Sequence, residues 1–109
     1  DNMPDLSQMR QYYFVMLTAG PNRTQDSTAT AELNRGHLAN IMRLSREGKL
    51  VLAGPFLDDG PWRGIFILAV DTPQEAEALL RTDPAITAGR LAYELHPWYG
   101  TNKLLEISR

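Results

Sequence analysis

A chain of 109 residues with 43% hydrophobic and 22% charged residues has the usage of one folded domain, and it leaves no room for a second core. Eleven Lys and Arg against thirteen Asp and Glu give a formal charge of −2 with no basic run, which argues against nucleic acid or an anionic membrane as partner. No stretch approaches the ~18 apolar residues of a membrane span, and the lack of cysteine removes disulfides, thiolate nucleophiles and the usual structural zinc sites.

The first eleven residues, with Asn2, Pro4, Asp5, Ser7 and Gln8, show no period and are expected to form a loose arm before a domain over residues 12–99. Tyr12 to Thr18 is β-branched and aromatic and is closed by Gly20-Pro21, which predicts a first strand. A polar connection follows from Asn22 to Thr30; its Asn22-Arg23-Thr24 matches a glycosylation acceptor, a pattern too short to weigh. Leu33, His37, Ile41 and Leu44 recur at helical spacing, so a helix is predicted there, stopped by Gly48 in the left-handed position.

Leu50 to Phe56 predicts a second strand, interrupted by Gly54-Pro55. A proline has no amide hydrogen for a ladder, so this strand belongs at an edge or ends there. Asp58 to Pro61 is a turn, and Arg63 to Val70, the most apolar run, is a third strand. Asp71-Thr72-Pro73 supplies an N-cap and a first-turn proline for a second helix, which breaks at Asp83-Pro84. After Gly89, alternation through Leu91, Tyr93 and Leu95 predicts a fourth strand ending near Pro97-Trp98, and a tail over residues 100–109 that adds a short strand or stays extended.

The order βαββαβ is the ferredoxin-like α+β arrangement, an antiparallel sheet with both helices on one face. Its central strands, the first and third, are apolar at successive positions, whereas a one-sided sheet alternates. The second face therefore asks for cover. If about four extra apolar side chains are exposed, at ~1.5–3 kcal/mol each the drive to associate is of order 6–12 kcal/mol before association costs. A homodimer packed sheet to sheet is the expectation, with the arm and tail folding over that face as the alternative.

The familiar motifs of dinucleotide binding, P-loop phosphate transfer, the hydrolase elbow and zincin chemistry are all missing. His37 and His96 are the only histidines and lie on different elements, so no metal site and no cofactor are expected. His37 sits on the apolar stripe, where an ordinary reading is a core imidazole held by one partner. Asp83 before Pro84 reads on its own as an N-cap.

The blocks around these residues change the weights. His37-Leu38, Gly48-Lys49-Leu50, Ala53-Gly54-Pro55-Phe56, Thr82-Asp83-Pro84-Ala85, Ala88-Gly89 and His96-Pro97-Trp98 together resemble the YCII-related family of the dimeric α+β barrel superfamily, from about Tyr12 to Trp98. The resemblance implies a ferredoxin-like subunit, a face-to-face dimer, and a pocket where His37 and Asp83 pair. It suggests lyase or isomerase-like activity on small, often aromatic or lactone-like compounds. The chain departs from the family in its arm, in the polar insert Asn22 to Thr30 and in the tail.

A carboxylate bonded to one imidazole nitrogen fixes the tautomer and readies the other nitrogen to accept a proton. The expected chemistry is cofactor-free proton abstraction beside a carbonyl or phenol, with His37 as base or acid and Asp83 as its orienting partner. Tyr13 and Trp98 are expected as stacking walls, Arg63 as an anion clamp, and Gly54-Pro55 as a close-approach device for ligand or partner chain. The alternative is a non-catalytic dimeric module that binds a small ligand in the same cavity. The chain opens at Asp1 rather than Met, which tips the expectation slightly towards export over a cytoplasmic location.

Overall fold

A computed structural model describes residues 6–107; Asn2, Pro4 and Asp5 of the expected arm and the last two residues of the expected tail lie outside that range. A 3-10 turn (Leu6–Gln8) leads into β1 (Met9–Ala19), then α1 (Ser27–Arg46), β2 (Leu50–Pro55), β3 (Trp62–Leu68), α2 (Pro73–Leu80), α3 (Pro84–Thr87), β4 (Leu91–Thr101) and α4 (Leu104–Ile107). The strands form one antiparallel sheet in the order β2-β3-β1-β4. This is the ferredoxin-like α+β fold, with the two most apolar strands at its centre.

Local chemistry sets most boundaries. Asp26 caps α1 by accepting from the Ala29 amide at 2.8 Å, so the helix begins inside the stretch expected to be a polar connection. Gly48, at φ 74°, follows its C-cap, in the left-handed region that favours glycine. Thr72 caps α2 by accepting from the Glu75 amide at 3.1 Å. Asp83 caps α3, with Pro84 in the first turn.

The sheet is longer than expected at one end. Met9, Arg10 and Gln11 pair with Thr101, Gly100 and Tyr99, so the end of the expected arm is strand, and β4 runs past Pro97-Trp98. Pro97 is tolerated because β4 is an edge strand with a single neighbour. β2 is the other edge and ends at Pro55.

One face of the sheet packs against the helices through Tyr13, Val15, Leu17, Phe66 and Leu68, which meet Leu44, Ala76 and Leu80. The far face carries Tyr12, Val51 and Ile67, and Leu104 and Leu105 of α4 pack against them. The tail is thus a short helix rather than a strand or extended chain. The turn that aims it is fixed by the Asn102 amide donating to Gln8 O at 2.7 Å and the Leu105 amide to Asn102 O at 3.1 Å. The expectation of a wholly uncovered second face is corrected accordingly, because the chain's own tail covers one end. Toward the β2 edge Leu52 (41% exposed) and Trp62 (55% exposed) stay open, with Met16 and Ile65 half-buried between the edges.

Candidate functional site

Between α1, α3 and the helix-covered face lies a cavity of about 430 Å³, within the range of small-ligand sites. Its apolar wall is Leu17, Ile41, Phe66 and Leu91. Ala53, Gly54, Pro55 and Gly64 supply small surfaces from β2 and β3, and His37, Asn34, Arg23, Arg63 and Arg90 are its polar members.

Helical spacing turns His37 inward beside Ile41, and its ring stacks on Phe66 at 6.0 Å between centroids and 25° between planes. His37 Nδ1–H donates to Asp83 Oδ2 at 2.5 Å. The imidazole is 20% exposed and the carboxylate fully buried, so this is a charge-assisted contact shielded from water. Asp83 Oδ1 accepts from the Ala85 amide at 2.9 Å. One carboxylate therefore caps α3 with one oxygen and holds the imidazole with the other. His37 Nε2 is left as the ring nitrogen available to a molecule in the cavity.

The approach of α1 to α3 depends on a residue that sequence reasoning missed. A Cβ added at Gly36 would lie 2.5 Å from Pro84 Cγ, so the helices reach this separation only because the position next to His37 has no side chain. Nothing in helical periodicity singles it out.

Three guanidinium groups stand around the same cavity. Arg23 Nη1 donates to Arg90 O at 2.5 Å, Arg90 Nη1 to Gln25 Oε1 at 3.1 Å, and Arg63 Nη1 to Gly60 O at 3.3 Å. Burial, then the neighbouring charges of Arg90 and Arg63, lower the Arg23 pKa from its ordinary value. The polar insert positions Arg23: Asn22 donates through Nδ2 to Ala88 O at 3.1 Å and through its amide to Gly89 O at 2.9 Å. Arg23 and Arg90 were not expected here. No spacing rule marks them: Asp26 follows Arg23 by three and Glu94 follows Arg90 by four, the same separations as in the ion pairs Glu32–Arg35 and Arg43–Glu47.

Of the expected binding residues, Gly54, Pro55 and Arg63 border the cavity and Tyr13 and Trp98 do not. Tyr13 is spent in the helix-side core. Trp98 pairs with Tyr12 in the β1–β4 register, which puts it on the far face. There its ring lies 5.9 Å from Tyr12 and covers Gly100, where a Cβ would fall 2.3 Å from the indole. A strand residue's face follows from pairing register, and a shift of one residue reverses it. His96 is also on the far face, exposed, with Nε2 3.5 Å from Glu94 Oε1. Among the described residues no three His, Asp or Glu side chains cluster as metal ligands, and no helix is long and apolar enough to cross a membrane.

The sequence matches the YCII-related domain over residues 11–99. The chain belongs to the YCII-related family. No curated protein matches it. Among solved structures it is similar to 5-chloro-2-hydroxyhydroquinone dehydrochlorinase from Burkholderia phenoliruptrix, a complex with 2,5-dihydroxybenzoquinone. The TM-score is 0.57 and the identity 21%, over 79% of this chain and 92% of that one. At this identity the likeness shows the ferredoxin-like fold of the YCII-related subunit.

Proposed function

We propose that this YCII-related chain is a cofactor-independent lyase or isomerase-like enzyme for a small organic molecule, with His37 as the proton-transfer group and Asp83 as its positioning partner. The observation that carries the reading is the 2.5 Å contact between His37 Nδ1 and a fully buried carboxylate, with the ring edged onto a cavity. With Nδ1 protonated and held, Nε2 presents a lone pair. It takes a proton from a carbon next to a carbonyl or a quinoid ring, and the C–H electron pair moves into a new double bond. Either a leaving group departs with its own bonding pair, or the proton returns at another carbon. Neither step changes the net redox state, so no electron carrier is called for. The similar solved structure is that of a 5-chloro-2-hydroxyhydroquinone dehydrochlorinase, and it supports this class of chemistry.

The same proposal includes a homodimer packed through the far faces of two sheets. Its support is the set of apolar side chains left open there, Leu52, Phe56, Trp62 and Trp98, of which Phe56 and Trp62 pack at 6.1 Å. A patch of this kind on a small chain favours burial against a second copy.

The test is chloride release from 5-chloro-2-hydroxyhydroquinone, together with deuterium uptake beside the carbonyl of related ring compounds. His37→Ala is expected to lower turnover by roughly 10²–10⁴-fold while ligand affinity stays within about tenfold. Asp83→Asn is expected to lower turnover in the same direction, with α3 still capped by the amide oxygen. Unchanged activity in His37→Ala refutes the base assignment. Tight ligand binding with no turnover in the unaltered protein selects the non-catalytic module instead.

A further inference from the structure

Arg23, Arg63 and Arg90 border one cavity in a chain whose net charge is −2. Three other arginines have acidic partners: Arg10 with Asp71, Arg35 with Glu32 and Arg43 with Glu47. The cavity arginines rest on neutral oxygens alone among the described residues, those of Arg90, Gly60 and Gln25. No Asp or Glu borders the cavity, and the carboxylate behind it, Asp83, is fully buried with both oxygens engaged. Arg23 is exposed and Arg63 and Arg90 are half-buried; like charges so placed repel one another, and a bridging anion removes that repulsion. The downward shift at Arg23 comes from burial first, with a smaller part from the charges of Arg90 and Arg63.

The remaining wall narrows the ligand. Phe66 is almost fully buried behind the His37 ring, which stacks on it at 25° between planes, and Leu17, Ile41 and Leu91 continue an apolar wall beside that imidazole, surroundings suited to a planar carbon skeleton. We infer that the cavity takes an organic anion, a small planar unsaturated molecule whose ionised oxygens are held by Arg23, Arg63 and Arg90 and whose ring lies against the apolar wall beside His37. This names the substrate class of the site proposed above and rests on that proposal for the reaction alone, because the cation cluster stands whether or not His37 moves a proton. The two claims also fit chemically: proton removal beside a carbonyl places negative charge on oxygen, and fixed guanidinium donors stabilise it there. The ionised oxygens belong either to a carboxylate, which matches the guanidinium fork, or to an acidic enol.

Isothermal titration calorimetry of the full chain with benzoate, 2,5-dihydroxybenzoquinone and neutral benzamide tests the inference. At least one of the two anions is expected to bind about tenfold or more tightly than benzamide. The anion that does so identifies carboxylate or enol as the source. The preference is expected to shrink as ionic strength rises and to disappear in an Arg23→Gln/Arg90→Gln double variant. Benzamide binding as well as both anions overturns the inference in the unaltered protein, with no variant needed, and so does a folded double variant that keeps the preference. His37→Gln is expected to retain the anion preference. Loss of turnover there with the anion preference intact supports both claims; intact turnover with the preference intact overturns the His37 assignment alone, and loss of turnover in a chain that shows no anion preference overturns the anion site alone.

Discussion

Along β1 the side chains alternate between two surroundings, and the two faces they build differ in kind. Tyr13, Val15 and Leu17 meet α1 and α2 in a closed core, and at the end of that core small residues of β2 and β3 open a cavity bordered by charge. Tyr12, at the same level, is sealed by the tail, while Met16 and Ile65 further along have no helix over them. The helix-covered face concentrates polar groups whose geometry is fixed by caps and close helix contact. The far face concentrates apolar surface with little directional chemistry. The proposed reaction and the proposed association therefore fall on opposite sides of one sheet, and changes on one side should leave the other intact.

The largest test of that division is Ile65→Lys, at the centre of the uncovered region. A lysine buried between two apolar sheets is expected to weaken the proposed dimer by about a hundredfold or more, some 3 kcal/mol. Analytical ultracentrifugation reads this directly, and the cavity's ligand affinity should stay put. A protein that is monomeric at micromolar concentration before any change breaks the comparison at its weaker half. Next comes Leu104→Ala/Leu105→Ala, which strips the tail's cover from Tyr12, Val51 and Ile67. The loss expected in urea unfolding is about 2 kcal/mol, because both leucines are only half-buried. The smallest effect on stability belongs to Gly36→Ala, about 1 kcal/mol from overpacking against Pro84. Its effect on turnover should exceed its effect on melting, since a small displacement of α1 lengthens the His37–Asp83 contact. Equal melting and unchanged turnover would show that α1 has slack at this point.

Much of the fold was legible because its signals are local. Gly48 after a periodic run, Thr72 before Pro73 and Asp83 before Pro84 each state a boundary within a few residues, and the apolar runs in β1 and β3 mark the centre of the sheet. The tail was not legible: four residues, Leu104 to Ile107, cannot display a period, and the bond from Asn102 to Gln8 that aims them joins opposite ends of the chain. Trp98 was misplaced for the same kind of reason, since its face depends on pairing with Tyr12. In the site, neither composition nor spacing ties His37 to Asp83, 46 positions away, and only the family resemblance links them. The cations Arg23 and Arg90 lie 67 positions apart and are joined by a fold that no short window of sequence contains.

The carboxylate of Asp83 answers to two masters. One oxygen opens a turn of helix, as an N-cap aspartate ordinarily does; the other steadies an imidazole. Folding alone is reason enough for an aspartate here, and with it comes half of the proposed proton-transfer pair. What separates an ordinary capped turn from that pair is then a single position on α1, the one that His37 holds.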